Sequence, residues 1–184
     1  DAVRIDPQLA ESHNNLGNIV IELNQPDRAL DCYKKAIILN PNLVEGYNNI
    51  GRMFHNQKKF NSAIENYEIA LSIDPNHAES HQNLGNILQD LKQFDRAVEC
   101  YQESLKINHN NAEVHTEVGI SLLNLGELDA SIKSFQKALS IDSNLDLAHN
   151  FLGLAFQRSG KLDKALKSFN DALSINSEYA EVYL

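Results

Sequence analysis

Seven histidines, 25 acidic side chains and two cysteines are the groups in this chain that could hold a metal, move protons or act as nucleophiles. Their spacing argues against all three uses. His81, His115 and His149 recur every 34 residues. If each step is one helix pair, neighbouring rings stand about 10 Å apart, whereas imidazoles sharing a zinc ion need bonds of about 2 Å. These rings are therefore expected between helices, not around an ion. Cys32 and Cys100 lie two such steps apart, too far for a disulfide, whose Cα atoms must approach within about 7 Å. His109, Asn110 and Asn111 read as a polar turn. The chain has no HExxH, no GxSxG, no Walker loop and no paired glycine turn for a dinucleotide, and Gly160-Lys161 has no upstream glycine at P-loop spacing. The expectation is a chain with no catalytic residue, no metal ligand and no cofactor: not an enzyme.

The elements that position the remaining polar groups follow from the period. Gly17, Gly51, Gly85, Gly119 and Gly153 are each 34 residues apart. The same step links Leu16, Ile50, Leu84, Val118 and Leu152; Ala29, Ala63, Ala97, Ser131 and Ala165; and the rings Tyr33, Tyr67, Tyr101, Phe135 and Phe169. Inside a copy the apolar spacing is helical, as in His81, Leu84, Gly85, Leu88 and Leu91, then Ala97, Val98, Tyr101, Ser104 and Leu105, so each copy is two amphipathic helices. Asp27, Asn61, Asp95, Asp129 and Asp163 stand where the second helices start and are expected to cap them. Asn42, Asn76 and Asn110, each followed three residues later by Glu45, Glu79 and Glu113, predict capping boxes on the first helices. Glycine facing alanine, as Gly85 would face Ala97, lets the two backbones approach closely while the ring column fills the remaining gap.

A 34-residue helix-turn-helix with these columns resembles the tetratricopeptide repeat over nearly the whole chain. The departures are His13, His81, His115 and His149, with Tyr47, where the family often has Trp or Tyr, and His109, Ser143 and Ser177 where it has proline between repeats. The resemblance implies an all-α, right-handed superhelical solenoid of five tandem repeats, at 10–43, 44–77, 78–111, 112–145 and 146–179. Residues 1–9, with Ala2, Ile5 and Asp6, match the tail of an upstream repeat, and residues 180–184, with Ala180, Glu181 and Tyr183, match the opening of a sixth. An excised piece of a longer array is expected.

The resemblance also implies that the first helices line a concave groove. In copies one to three that face carries Asn14, Asn15 and Asn18; Asn48, Asn49, Arg52 and Asn56; and Gln82, Asn83 and Asn86. In the last two it turns apolar, through Ile120, Leu147, Phe151 and Leu154. Ten of the chain's 22 asparagines fall in five groove-facing columns, more than composition alone would place there. Two readings stay open: an amide ladder that satisfies the backbone of an extended peptide with paired donors and acceptors, or a solvated polar face. Flanking Glu11, Glu45, Glu79 and Asp90 favour basic or neutral segments. Asn15, Asn49 and Asn83 stand two residues before their glycines, as do the substrate-guiding asparagines of O-linked N-acetylglucosamine transferases, a similarity that lapses at Glu117 and Phe151. A chaperone-tail clamp, with converging cations on a terminal carboxylate, is disfavoured because only Arg52 and Arg158 lie on this face.

The expected function is a scaffold binding a peptide or protein segment through Asn14, Asn15, Asn18, Asn48, Asn49, Arg52, Asn56, Asn83, Asn86, Phe151 and Leu154. The alternatives are the substrate-recruiting arm of a larger enzyme such as a glycosyltransferase, or a self-assembly module using open ends or the Phe151 patch. A net charge of −9 argues against nucleic acid. No apolar run suits a membrane span, and neither signal peptide nor disulfide framework is present, so a cytoplasmic location is expected.

Overall fold

The computed structural model describes residues 7–176; the readings made on residues 1–6 and 177–184 lie outside them. Among the described residues there are ten α-helices and no strand: α1 Pro7–Glu22, α2 Pro26–Leu39, α3 Val44–Asn56, α4 Phe60–Ile73, α5 Ala78–Asp90, α6 Phe94–Ile107, α7 Ala112–Leu125, α8 Leu128–Ile141, α9 Asp146–Arg158 and α10 Leu162–Ile175. They form an all-α repeat solenoid with two compact units that divide within α5, between Ile87 and Leu88. In the first unit α1 packs on α2, α2 on α3, and α3 on α4. In the second, each helix from α6 to α10 packs on the next, and α7 also touches α9. No helix here is long and apolar enough to cross a membrane.

The ring column closes each helix pair. Tyr33, Tyr67, Tyr101 and Phe135 are fully buried, and a ring lies directly on the glycine of the partner helix. A Cβ on Gly17, Gly51, Gly119 or Gly153 would come within 2.4, 2.6, 2.5 and 2.6 Å of the Cε1 of Tyr33, Tyr67, Phe135 and Phe169. The glycine therefore faces the ring as well as the small column. The small column still meets the same backbone: Ser131 Oγ donates to the Gly119 carbonyl at 2.8 Å.

The turn inside each pair rests on a column that the sequence does not advertise. Asn24, Lys58, Lys92, Gly126 and Gly160 all take left-handed φ, from 55° to 82°, and only two of them are glycine. In each, the residue's own N–H and the next one reach back across the helix end, as in Asn24 N to Ile21 O (2.8 Å) and Gln25 N to Val20 O (3.1 Å). This double bond pattern satisfies orphaned carbonyls and terminates the first helix.

The capping expectations shift by a residue or two. The second helices start at Pro26, Phe60, Phe94, Leu128 and Leu162, and their N-caps, Gln25, Lys59, Gln93, Glu127 and Lys161, make no side-chain cap bond. Asp27, Asp95, Asp129 and Asp163 thus sit inside the first turn, where a carboxylate favours the positive end of the helix without capping it. The predicted boxes at Asn42, Asn76 and Asn110 do not hold that position either. The N-caps of α3 and α7 are Leu43 and Asn111, and Asn111 accepts from Val114 N at 3.1 Å. The preceding turns are instead held by Asn40, Asp74 and Asp142, whose Oδ1 atoms accept from the N–H two residues on, at 2.9–3.1 Å.

Among the described residues α1 leaves an apolar strip exposed. Leu16 and Ile19 of α1 are 49% and 54% exposed, whereas Ile50 and Met53, one repeat later, are 4% and 6% exposed.

Gly51→Ala tests the ring contact. Alanine gains about 0.5–1 kcal/mol in helix propensity, but its methyl meets a buried ring with no room to yield, and overpacking costs about 1–3 kcal/mol. A net loss of about 1–2 kcal/mol in urea unfolding is expected.

Candidate functional site

The groove-facing asparagines of the first unit divide into braces and surface groups. Asn14, Asn48 and Asn49 are 7%, 2% and 6% exposed. Asn49 Nδ2 donates to Asn14 Oδ1 at 2.9 Å, tying α3 to α1. Asn83 Nδ2 donates to Asn48 Oδ1 at 3.0 Å, tying α5 to α3. Both bonds span 35 residues, so an amide ladder exists, and its inner rungs join successive first helices to one another. Ser80 Oγ adds a donor to Asn48 Oδ1 at 3.2 Å, while Ser80 N donates to His77 Nδ1 at 3.2 Å.

Over these rungs lies Arg52, with 47% of its side chain exposed. Its guanidinium donates to Asn49 Oδ1 at 2.9 Å and pairs with Glu79 Oε1 at 3.5 Å. Asn18 accepts from the Tyr33 hydroxyl at 2.8 Å. Asn15 and Asn56 are exposed, and Asn83 and Asn86 half-buried. Beside Asn15 a cavity of about 220 Å³ is lined by Glu11, Asn14, Asn15, Leu43 and Glu45, so two carboxylates flank an exposed amide and a buried one.

The second unit replaces amides with a mixed acidic and apolar face. Ser121 Oγ donates to Gln89 Oε1 at 2.5 Å, and Gln89 Nε2 donates to Glu117 Oε2 at 2.7 Å. Burial raises the Glu117 pKa above the usual carboxylate range; the Gln89 bond opposes this, and Glu113 and Asp90 add to it. One repeat on, Phe151 stacks on the buried Phe135 with centroids 6.2 Å apart. Ile120, Phe151 and Leu154 pack partly buried against the cluster that contains Phe135, Leu152 and Phe156. Arg158 reaches back to the Leu123 carbonyl at 3.2 Å. A second cavity, of about 360 Å³, is lined from α8, α9 and α10, with Leu139, Leu152 and Phe156 among its walls and Lys164 and Lys167 among its polar groups.

The rings of the histidine column are half-buried. His81, His115 and His149 each donate from Nε2 to a carbonyl six residues back, of Pro75, His109 and Ser143, at 3.0–3.1 Å. They staple each first helix to the turn before it. Burial lowers the His115 pKa. Among the described residues no three His, Cys, Asp or Glu side chains gather as a metal site. Cys32 and Cys100 are free thiols, and burial pushes that of Cys100 up to about 11.

The residues that sequence reasoning missed are Ser80, His77 and Ser121, which orient the amides, and the two ring hydroxyls of Tyr33 and Tyr67. Only the tyrosines left a trace, as hydroxyl-bearing members of a column that elsewhere holds phenylalanine.

A solenoid of helix pairs repeating every 34 residues, each closed by a ring on a glycine, is the architecture of the tetratricopeptide repeat. Sequence profiles of the tetratricopeptide repeat match residues 10–43 and 78–111, 51–92 and 121–160, 146–179, and 32–65. The chain belongs to this family. Among solved structures it is similar to MamA, at 27% identity over 90% of this chain and 96% of that one, with a TM-score of 0.79. MamA of Desulfovibrio magneticus RS-1 shares the fold at 20% identity over 92% and 96%, with a TM-score of 0.82. YrrB, described as a TPR protein with an unusual peptide-binding site, shares it at 24% identity over 91% and 87%, with a TM-score of 0.77. No curated protein matches the chain by sequence.

Two predictions follow the division into braces and surface groups. Asn48→Ala removes the buried acceptor that Asn83 and Ser80 share and should cost about 1–3 kcal/mol in urea unfolding, whereas Asn15→Ala should stay within about 0.5 kcal/mol of the parent. For Glu117 the folded pKa lies above the unfolded value, so its stabilising contribution is full below the ordinary carboxylate pKa and is lost as pH rises through the raised one. Glu117→Gln, which keeps an acceptor for Gln89, should therefore raise the urea midpoint at pH 7 and leave it unchanged at pH 3.

Proposed function

We propose that the chain is a non-catalytic scaffold that holds an extended peptide or protein segment along the face formed by its first helices. The observation that supports this most is the arrangement around Asn15. An exposed amide sits at a cavity of about 220 Å³ with Glu11 and Glu45 in its lining, and the neighbouring buried amides hold the helices that present it. An amide offers a donor and an acceptor to a passing main chain, while the carboxylates favour neutral or basic segments. Asn15, Asn18, Arg52, Asn56, Asn83 and Asn86 are assigned to direct contact. Asn14, Asn48 and Asn49 are assigned to positioning those groups. In the second unit, Phe151 and Leu154 are assigned to an apolar side chain of the bound segment. The same fold carries a peptide-binding site in YrrB.

A peptide array probed with the full chain tests this reading, with Asn15→Ala/Asn56→Ala as the comparison, since neither side chain is buried. The parent should capture a subset of peptides, and the double variant, with an unchanged melting midpoint, should bind that subset about five- to tenfold more weakly. Equal capture by both would remove the groove from the account.

A further inference from the structure

The Tyr67 hydroxyl is the buried side-chain polar atom that has no hydrogen-bond partner among the described residues. Its ring is fully buried on Gly51, in the same way that Tyr33 lies on Gly17. One repeat earlier the equivalent hydroxyl is satisfied, because Tyr33 donates to Asn18 Oδ1 on the groove face at 2.8 Å. The residue that stands where Asn18 does is Arg52, and a guanidinium carries five N–H donors and no acceptor. Arg52 is moreover directed elsewhere, to Asn49 Oδ1 and Glu79 Oε1. An unmade bond from a buried hydroxyl is costly, so such groups are rare in folded chains and call for a cause.

The surroundings say what would complete it. Tyr67 needs an acceptor, and Arg52 beside it offers further donors, so the two together match an oxygen with two lone pairs. Glu79 stands across from Arg52 at 3.5 Å, and its charge raises the Tyr67 pKa as that of Arg52 lowers it; a second carboxylate arriving there would be repelled. A neutral carbonyl would not. Arg52 is held by its bond to Asn49 and by Glu79, and the Glu79 pair, between two half-exposed side chains, is of the weak kind.

We propose that Tyr67 and Arg52 form a subsite for a main-chain carbonyl oxygen of a bound extended segment, with the Tyr67 hydroxyl and the guanidinium both donating to it. This rests on the groove reading above and deepens it, by specifying that recognition here is of backbone and not of a charged side chain.

The test uses the full chain and N-acetyl-tetraglycine amide, a probe that offers main-chain carbonyls and no side chain, followed by the tyrosine ring and arginine Nε–H resonances. Saturable shifts at Tyr67 and Arg52 are expected, and Tyr67→Phe should weaken the probe about fivefold without lowering the melting midpoint. Tyr33→Phe, which strands Asn18, should lower the midpoint. The proposal is overturned if Tyr67→Phe binds the probe like the parent. It is overturned equally if that variant melts as early as Tyr33→Phe, since the hydroxyl would then have an internal partner. Saturation by acetate in place of the glycine probe would replace the carbonyl with an anion and also defeat it. If peptides are still captured on the array while the probe fails, this subsite alone is wrong; failure of both removes the groove reading as well.

Discussion

An aromatic ring packed against a glycine closes the helix pairs of Gly17, Gly51, Gly119 and Gly153. Glycine in mid-helix costs about 0.5–1 kcal/mol against alanine, and it is retained because a Cβ at Gly17, Gly51, Gly119 or Gly153 would overlap the ring by more than any side chain tolerates. Tyr33, Tyr67 and Phe135 gain full burial there. The ring's position also decides where the tyrosine hydroxyl lies: that of Tyr33 reaches Asn18 of the first helix, and that of Tyr67 is buried without a partner among the described residues.

The second constraint is polar. Rungs such as Asn49 to Asn14 and Asn83 to Asn48 link successive first helices at 2.9–3.0 Å. Each is worth roughly 0.5–1.5 kcal/mol and fixes the register of one helix against its neighbour, because an amide slid by one turn would leave both partners unsatisfied. In the second unit the same column ends in Phe151, which stacks on Phe135 of α8 and not on a first helix. The first unit accordingly presents amides and carboxylates, and the second a half-buried acid followed by apolar groups.

The 34-residue step, the pairing of helices and the small and ring columns were legible because each rests on side-chain volume, which a residue type states directly. The turn column was not. Asn24, Lys58, Lys92, Gly126 and Gly160 share a left-handed backbone that is enforced by the two N–H groups reaching back into the helix end, and lysine announces no such conformation. Cap positions slipped for a related reason: Asp27 and its counterparts favour the helix start through charge, which acts over a whole turn and does not pick one residue. The asparagine columns were legible as a set, but their division was not. Asn15 and Asn49 share one column, yet Asn49 is 6% exposed because it packs on Asn14 of the preceding first helix, and Asn15 is exposed; residue type and column do not state which neighbour covers an amide. Tyr67 was hidden because its lack of a partner depends on Arg52, a residue of another helix.

The most direct measurement is a map of side-chain amide resonances in the full chain as a captured peptide is added. The account predicts that the Nδ2 signals of Asn15 and Asn56 move with saturation while those of the braces Asn48 and Asn49 stay in place. Movement confined to the residues around the cavity of Leu139, Phe156 and Lys164, with the first-helix amides unperturbed, would contradict it.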